Sequence, residues 1–267
     1  MPHTNRINRS RERVTGKEQY YTPFKVAEHC VSIMDSFAVS DVYLEPAGGT
    51  GAFINALAGR KVISYDIEPK HPKVKKADFL QTEVNLSDVI TITNPPFGRN
   101  HSLSIPFFNK CADISNYIGF IIPKSWRKWS ILNRLDRRFH LIHDEDLNVD
   151  YIDGGIGKLN TIYQIYEKQS QLRDKVIIKD NGYITKVKDP KEADVALTIF
   201  GRGCGTVRTQ FESKPKTTQM YLKINYPWVA DVLPKLNYSQ FYENVAFTEA
   251  LSINEINYLL NSQKKTN

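Results

Sequence analysis

The tetrapeptide Asn94-Pro95-Pro96-Phe97 follows directly on an apolar run, Val89 to Thr93. Two prolines stop ladder pairing and free the Pro95 carbonyl, while Asn94 supplies a side-chain oxygen close by. Together they are two acceptors for the two hydrogens of one planar amino group, whose nitrogen lone pair is then steered toward an electrophile. Phe97 adds a flat face on which a heterocycle stacks. The chemistry implied is group transfer onto an exocyclic amine, accelerated by positioning and electrostatics rather than by a strong base. The competing reading is a Pro-rich turn followed by a core Phe.

Three features upstream describe what would deliver the electrophile. Glu45-Pro46-Ala47-Gly48-Gly49-Thr50-Gly51 sits between a short apolar strand and a helix. Glycines there let backbone approach a ligand, and the helix start offers free N–H groups. The GK[ST] ending of a phosphate-binding loop is absent, which argues against a nucleotide triphosphatase. Asp66 ends the next strand, where a carboxylate can accept both hydroxyls of a ribose. Asp78-Phe79 then pairs an acceptor for an adenine amino group with an aromatic able to stack on the ring. In this order they imply a nucleoside-bearing cofactor.

The elements that must position these residues follow from periodicity. Val26, Cys30, Ile33, Met34 and Phe37 lie at helical spacing after Thr22-Pro23, so residues 24–37 read as an amphipathic helix. Val42 to Leu44, Val62 to Ile67, Val89 to Thr93 and Ile118 to Ile122 read as short strands. Helices are expected between them, at Phe53 to Leu57 and Ser104 to Ile114, and after them at Ser125 to Phe139. Strands alternating with helices imply βαβ units in a mostly parallel sheet, with ligands beyond the carboxyl ends of its strands. From about residue 170 the texture changes to β-prone runs (176–178, 183–187, 195–200, 206–211 and 220–224) divided by turn signals, then two helical pieces. A small antiparallel module is expected there.

At this point the sequence resembles the gamma-class amino-methyltransferases that use S-adenosylmethionine, most closely the bacterial and phage adenine-specific DNA methyltransferases. The resemblance rests on Tyr20-Tyr21-Thr22-Pro23, Glu45 to Phe53, Tyr65-Asp66-Ile67-Glu68, Ala77-Asp78-Phe79-Leu80, Asn94 to Phe97, and Phe120-Ile121-Ile122-Pro123, over roughly residues 18–167. It implies a Rossmann-like class I methyltransferase fold, α/β and doubly wound, with S-adenosylmethionine as cofactor. Tyr21, Thr22 and Pro23 would flank the methionine portion, and Glu45, Pro46, Ala47 and Gly49 its amino-acid end. Asp66 and Ile67 would take the ribose, Asp78 and Phe79 the adenine, and Phe108 the same ring. Asn94, Pro95, Pro96 and Phe97 would hold a flipped-out adenine, with Asn94 also bordering the cofactor. The residues leave the second stacking aromatic open: Tyr163 is one candidate, and its strand could equally bury it.

Composition bounds the partners. The chain has 267 residues, 36 Lys plus Arg against 29 Asp plus Glu, a net charge of +7, and no apolar run near the ~20 residues of a membrane span. Three widely spaced cysteines, Cys30, Cys111 and Cys204, suit reduced thiols in a cytoplasmic protein and make no zinc pattern, so no metal is expected. His140 and His143, three apart on a strand, point to opposite faces, and the acidic stretch after them (Asp144, Glu145, Asp146, Asp150 and Asp153) reads as a loop, so they do not form a metal site with Asp144. Basic residues expected to meet nucleic acid are Arg99, Lys124, Arg127, Lys128 and Arg134 with Trp126, and Arg202 and Arg208 in the C-terminal module. The expected organisation is a basic arm at 1–19, a catalytic domain at 20–169 and a β-rich target-recognition module at 170–267. Duplex DNA is the expected partner, with a companion restriction endonuclease if the role is restriction–modification. RNA adenine, protein glutamine and cytosine N4 remain alternative acceptors, as does a non-catalytic nucleic-acid-binding subunit; for cytosine the family usually has Ser in place of Asn94.

Overall fold

A computed structural model describes residues 20–147, 149 and 159–263. The expected arm at 1–19 lies outside the described residues, as do Asp150 and Asp153. The chain forms two compact units: Met1–Ile122 with Arg134–Arg173, and Pro123–Asn133 with Asp174–Asn267. No helix among the described residues is long and apolar enough to cross a membrane.

The first unit is built on a seven-stranded sheet. In chain order its elements are α1 (Phe24–Phe37), β1 (Val42–Glu45), α2 (Ala52–Ala56), β2 (Lys61–Asp66), β3 (Lys75–Lys76), β4 (Val89–Thr93), α3 (Ser104–Ala112) and β5 (Ser115–Pro123). The strands β6 (Phe139–Leu147) and β7 (Thr161–Lys168) follow. The spatial order is β3-β2-β1-β4-β5-β7-β6. Pairing is parallel from β3 through β5, and β6 runs antiparallel to β7. This is a Rossmann-like, doubly wound arrangement, as the alternation of strands and helices predicts. All five residues of β4 are buried, as a strand covered on both faces requires.

Strand order reverses between β1 and β4, so the carboxyl ends of these two neighbours flank the crevice where such sheets bind ligands. Glu45 is the last residue of β1, and Asn94 directly follows β4. Topology therefore brings together two residues 49 positions apart in the chain. The Pro23 carbonyl starts α1 by accepting from the Val26 and Ala27 N–H groups at 3.0 and 3.1 Å. Helix α1 then buries Ala27, Cys30, Val31 and Met34 against the sheet core formed by Ile90, Ile92, Ile121 and Tyr163.

The second unit contains α4 (Trp129–Leu132) and a four-stranded sheet of β8 (Ile184–Val187), β9 (Val195–Thr198), β10 (Val207–Arg208) and β11 (Gln219–Ile224). The sheet is antiparallel, in the order β10-β9-β11-β8. It is followed by α5 (Pro227–Val232), α6 (Ser239–Tyr242) and α7 (Ile253–Gln263). Leu197, Leu222, Val229, Leu233, Ile256 and Leu260 are fully buried in one core.

Local structure departs from expectation in three places. The helix expected over Ser125–Phe139 is a 3-10 turn at Lys124–Arg127, the single turn of α4, and an irregular stretch ending in β6. The Asp136 carboxylate accepts the Arg138 N–H and guanidinium at 2.6–3.1 Å, an Asx turn that competes with helix. Residues 123–133, expected in the first domain, pack within the second unit, where the Trp129 ring meets Phe241 and Tyr258. The strand expected at Val176–Ile178 is absent because the Asn133 side chain satisfies both backbone groups of Val176, at 2.9 and 3.0 Å. Finally, Asp144, Glu145 and Asp146, expected in a loop, lie in β6 opposite Gln164, Tyr163 and Ile162.

Candidate functional site

An open cleft lies at the carboxyl ends of β1 and β4. Its lining joins Tyr20, Tyr21 and Thr22 to Glu45, Ala47, Gly48, Gly49 and Asn94, with Thr50, Ala52 and Phe53 from the turn and helix α2. Three stretches distant in sequence thus meet on one crevice.

Asn94 is oriented by what it donates. Its Nδ2 gives one hydrogen to the Tyr20 carbonyl at 2.8 Å and lies 3.2 Å from Thr22 Oγ1. A carbonyl can only accept, so the amide nitrogen is fixed on that side and the oxygen on the other. Oδ1 is buried and has no hydrogen-bond partner among the described residues. A buried acceptor left unpaired costs about 1–3 kcal/mol, and any donor entering the cleft relieves that cost.

Glu45 presents a second incomplete group. It is 1% exposed, and burial pushes its carboxyl up to about 8 against the donation of the Thr93 hydroxyl and the Ala47 N–H. No cation lies among these partners. Asp66 differs: its two oxygens accept the Gly49 and Glu68 N–H groups, each at 2.8 Å, tying the end of β2 to the glycine turn. Two glycines make that turn possible. A Cβ on Gly48 would collide with Ser64 and Val74, and one on Gly49, at φ 44°, would stand 3.2 Å from the Tyr21 ring.

Several residues expected at the site stand elsewhere. Phe79 is 1% exposed, with Phe107 at 5.3 Å, Tyr65 at 6.2 Å and the Lys110 ammonium 5.0 Å over its ring, so it offers no free face. Phe108 is fully buried among Phe120, Phe139 and Tyr166 and belongs to the core, not to a cofactor ring. Tyr163 is fully buried with the α1 core, so it is no second stacking aromatic. Asp78 is exposed at a turn, accepting the Leu80 N–H, and Ile67 is exposed beside Asp66; neither lines the cleft. Pro46 is buried beneath the glycine turn's start and Pro23 sits at the N-terminus of α1.

Phe97 is nearly closed off, at 5% exposure, because the Tyr20 ring stacks on it with centroids 5.8 Å apart and planes 24° from parallel. Residue spacing alone gave Tyr20 no role; the available signal was a pair of tyrosines entering an extended segment, where neighbours face opposite ways. After Phe97 the backbone is strained. Gly98, Asn100 and His101 all have positive φ, at 67°, 52° and 62°, and Arg99 among them is exposed. Non-glycine residues held so cost about 1–3 kcal/mol each and cluster at functional sites. His101 is pushed down to about 4 by burial and by Arg134, so it is neutral at physiological pH.

The residues expected to meet nucleic acid separate into two kinds. Trp126 is 1% exposed, and Lys128 donates to Glu255 at 3.1 Å, so both serve the second unit's interior instead. Lys124 and Arg127 are half-buried. Arg134 and Arg202 are exposed, and so is Arg208, whose guanidinium donates to Thr198 Oγ1 at 2.7 Å. His140 bonds the Gln171 carbonyl at 2.8 Å, and no group of three metal-ligating side chains converges among the described residues.

No family model and no curated protein matches the sequence. Solved structures do match. One is a candidate RNA methyltransferase from Pyrococcus horikoshii, at 19% identity and TM-score 0.48 over 58% of this chain and 88% of that one. A second is the modification subunit of a candidate type I restriction enzyme from Vibrio vulnificus YJ016, at 14% and 0.45, covering 91% of this chain and 57% of that subunit. A third is the N-methyltransferase NodS from Bradyrhizobium japonicum WM9 with S-adenosyl-L-homocysteine, at 11% and 0.42 over 60% and 95%.

Proposed function

We propose that the chain transfers the methyl group of S-adenosylmethionine to the exocyclic N6 of an adenine in DNA. The observation that carries this reading is the buried, unpartnered Oδ1 of Asn94, held at the mouth of β4 by donations to Tyr20 and Thr22. An amino group that gives one hydrogen to this oxygen and the other to the Pro95 carbonyl is fixed in plane, with density raised on nitrogen.

The residues of the cleft fit the cofactor. Glu45, a buried acid without a cation, suits the α-ammonium of the amino-acid end, beside Ala47, Gly49, Tyr21 and Thr22. Asp66, joined to the cleft's lining through the Gly49 N–H, suits the ribose hydroxyls, and the adenine would then lie beyond that lining, toward the exposed Ile67 and Asp78. When bound, the cofactor supplies a methyl carried on a sulfonium sulfur. The protein's own share is to orient and stabilise: Asn94 accepts a hydrogen bond and takes up no proton, and the surplus proton of the methylated nitrogen leaves to water after the transfer. Net charge +7 and exposed Arg99, Arg134, Arg202 and Arg208 favour a polyanionic substrate.

The test is methyl transfer from labelled S-adenosylmethionine to unmethylated duplex DNA and, in parallel, to total RNA, read by nucleoside mass spectrometry. N6-methyladenine in DNA is the expected product. Label confined to RNA would overturn the substrate, and no label in either would overturn the reading.

A further inference from the structure

Tyr20 and Tyr21 are consecutive, and their rings serve different halves of the cleft. Tyr21 lies over Gly49 on the glycine-turn side, and Tyr20 lies over Phe97 on the Asn94 side. The Tyr20 carbonyl holds the Asn94 amide at 2.8 Å. One residue therefore does two things: its backbone aims the acceptor, and its ring covers the aromatic that follows it.

We infer that Tyr20 is the second wall of the acceptor pocket, closing with Phe97 on the two faces of the base whose amino group meets Asn94. This rests on the reading of the cleft proposed above. A planar guest stacked on both rings at about 3.5 Å from each needs ring planes about 7 Å apart. The 5.8 Å between centroids is thus a clamp shut on itself, and it must open by more than about 1 Å. Rotation of the Tyr20 side chain opens it and leaves the backbone carbonyl on Asn94, so entry of the base does not disorder the acceptor. Tyr20 also keeps Phe97 covered in the free protein, where an exposed aromatic would otherwise face water.

The test uses the full chain with two duplexes: unmethylated DNA with adenine at the position that the methylation assay marks, for KM, and the same duplex with 2-aminopurine there, which has no 6-amino group and reports binding and stacking alone. Tyr20→Ala is expected to weaken duplex binding and raise KM by about tenfold to a hundredfold, the range for one base stacked on one aromatic. The bound 2-aminopurine should also fluoresce more brightly, while S-adenosylmethionine affinity stays near that of the parent. Tyr20→Leu, which keeps apolar bulk and lacks a π face, should behave as Tyr20→Ala, and Tyr20→Phe should restore both binding and quenching. Parent-like KM and quenching in Tyr20→Ala, or rescue by Tyr20→Leu, would overturn the inference while leaving the methyltransferase reading intact. A wild-type protein that neither binds the cofactor nor methylates would overturn both.

Discussion

Glu45 in the first unit and Glu255 in the second are buried alike, at 1% and 3% exposure, yet their surroundings differ. Glu255 has a cation, Lys128 Nζ at 3.1 Å, and accepts the Ser252 N–H at 2.7 Å, while its own N–H reaches Ser252 Oγ at 3.4 Å. That reciprocal pair is a capping box at the start of α7. Glu45 has two neutral donors and no cation among the described residues, and its carboxyl is raised to about 8. A buried charge must be paired or must neutralise itself. The second unit completes its pair within the chain, whereas the first leaves both Glu45 and the Asn94 oxygen incomplete. Incomplete groups that share one cleft are where a ligand brings the missing partners.

The largest effect expected from this contrast is on cofactor affinity. A bound α-ammonium favours the ionised Glu45, so binding below pH 8 must release its proton. Affinity should then rise about tenfold per pH unit up to about 8 and flatten above it. In the unliganded protein the sign reverses: the folded state holds the proton more tightly than the unfolded chain, so stability falls as pH rises between 4.5 and about 8. Glu45→Gln should weaken cofactor binding and flatten both dependences. Calorimetric titration and urea melts at several pH values read the two together. A cofactor affinity independent of pH in the parent would separate Glu45 from the ammonium.

Lys128→Ala probes the completed pair. Breaking a fully buried pair costs about 3–5 kcal/mol, and with Lys128 itself 20% exposed about 2 kcal/mol is expected, read as a lower urea midpoint. Nucleic-acid affinity measured well below that midpoint should not change its salt dependence. If it did, Lys128 would be a phosphate contact after all. Arg202→Ala is the converse and the smallest effect. Arg202 is exposed on the loop between β9 and β10, so stability should hold while the slope of log affinity against log salt falls by about 1.

Much of the first unit could be read from periodicity, because buried parallel strands and an amphipathic helix carry their burial in residue type. Val89 to Thr93 and the face Val26, Cys30 and Met34 are examples. The positions of Asn94 and Glu45 at strand ends were legible as well, since a strand end before prolines or glycines is where such a sheet exposes polar groups. What was not legible depended on tertiary partners. Phe79 and Phe108 look like any aromatic near a cofactor motif until Phe107, Lys110, Phe120 and Tyr166 cover them. The run Ser125–Phe139 has helical spacing, yet Asp136 turns the chain and Lys128 is drawn to a carboxylate more than 120 residues away. Tyr20 had no periodic signature at all, only its adjacency to Tyr21.

The most direct test of the account is single-turnover methyl transfer by the parent and by Asn94→Ala, each first titrated with S-adenosylmethionine and then given unmethylated duplex DNA. The orientation of Asn94 predicts retained cofactor affinity and a transfer rate lower by about 10²–10³, the usual consequence of deleting one preorganised hydrogen-bonding group from a reacting centre. Equal transfer rates in the two proteins would contradict it, because the unpartnered oxygen would then have no part in the chemistry.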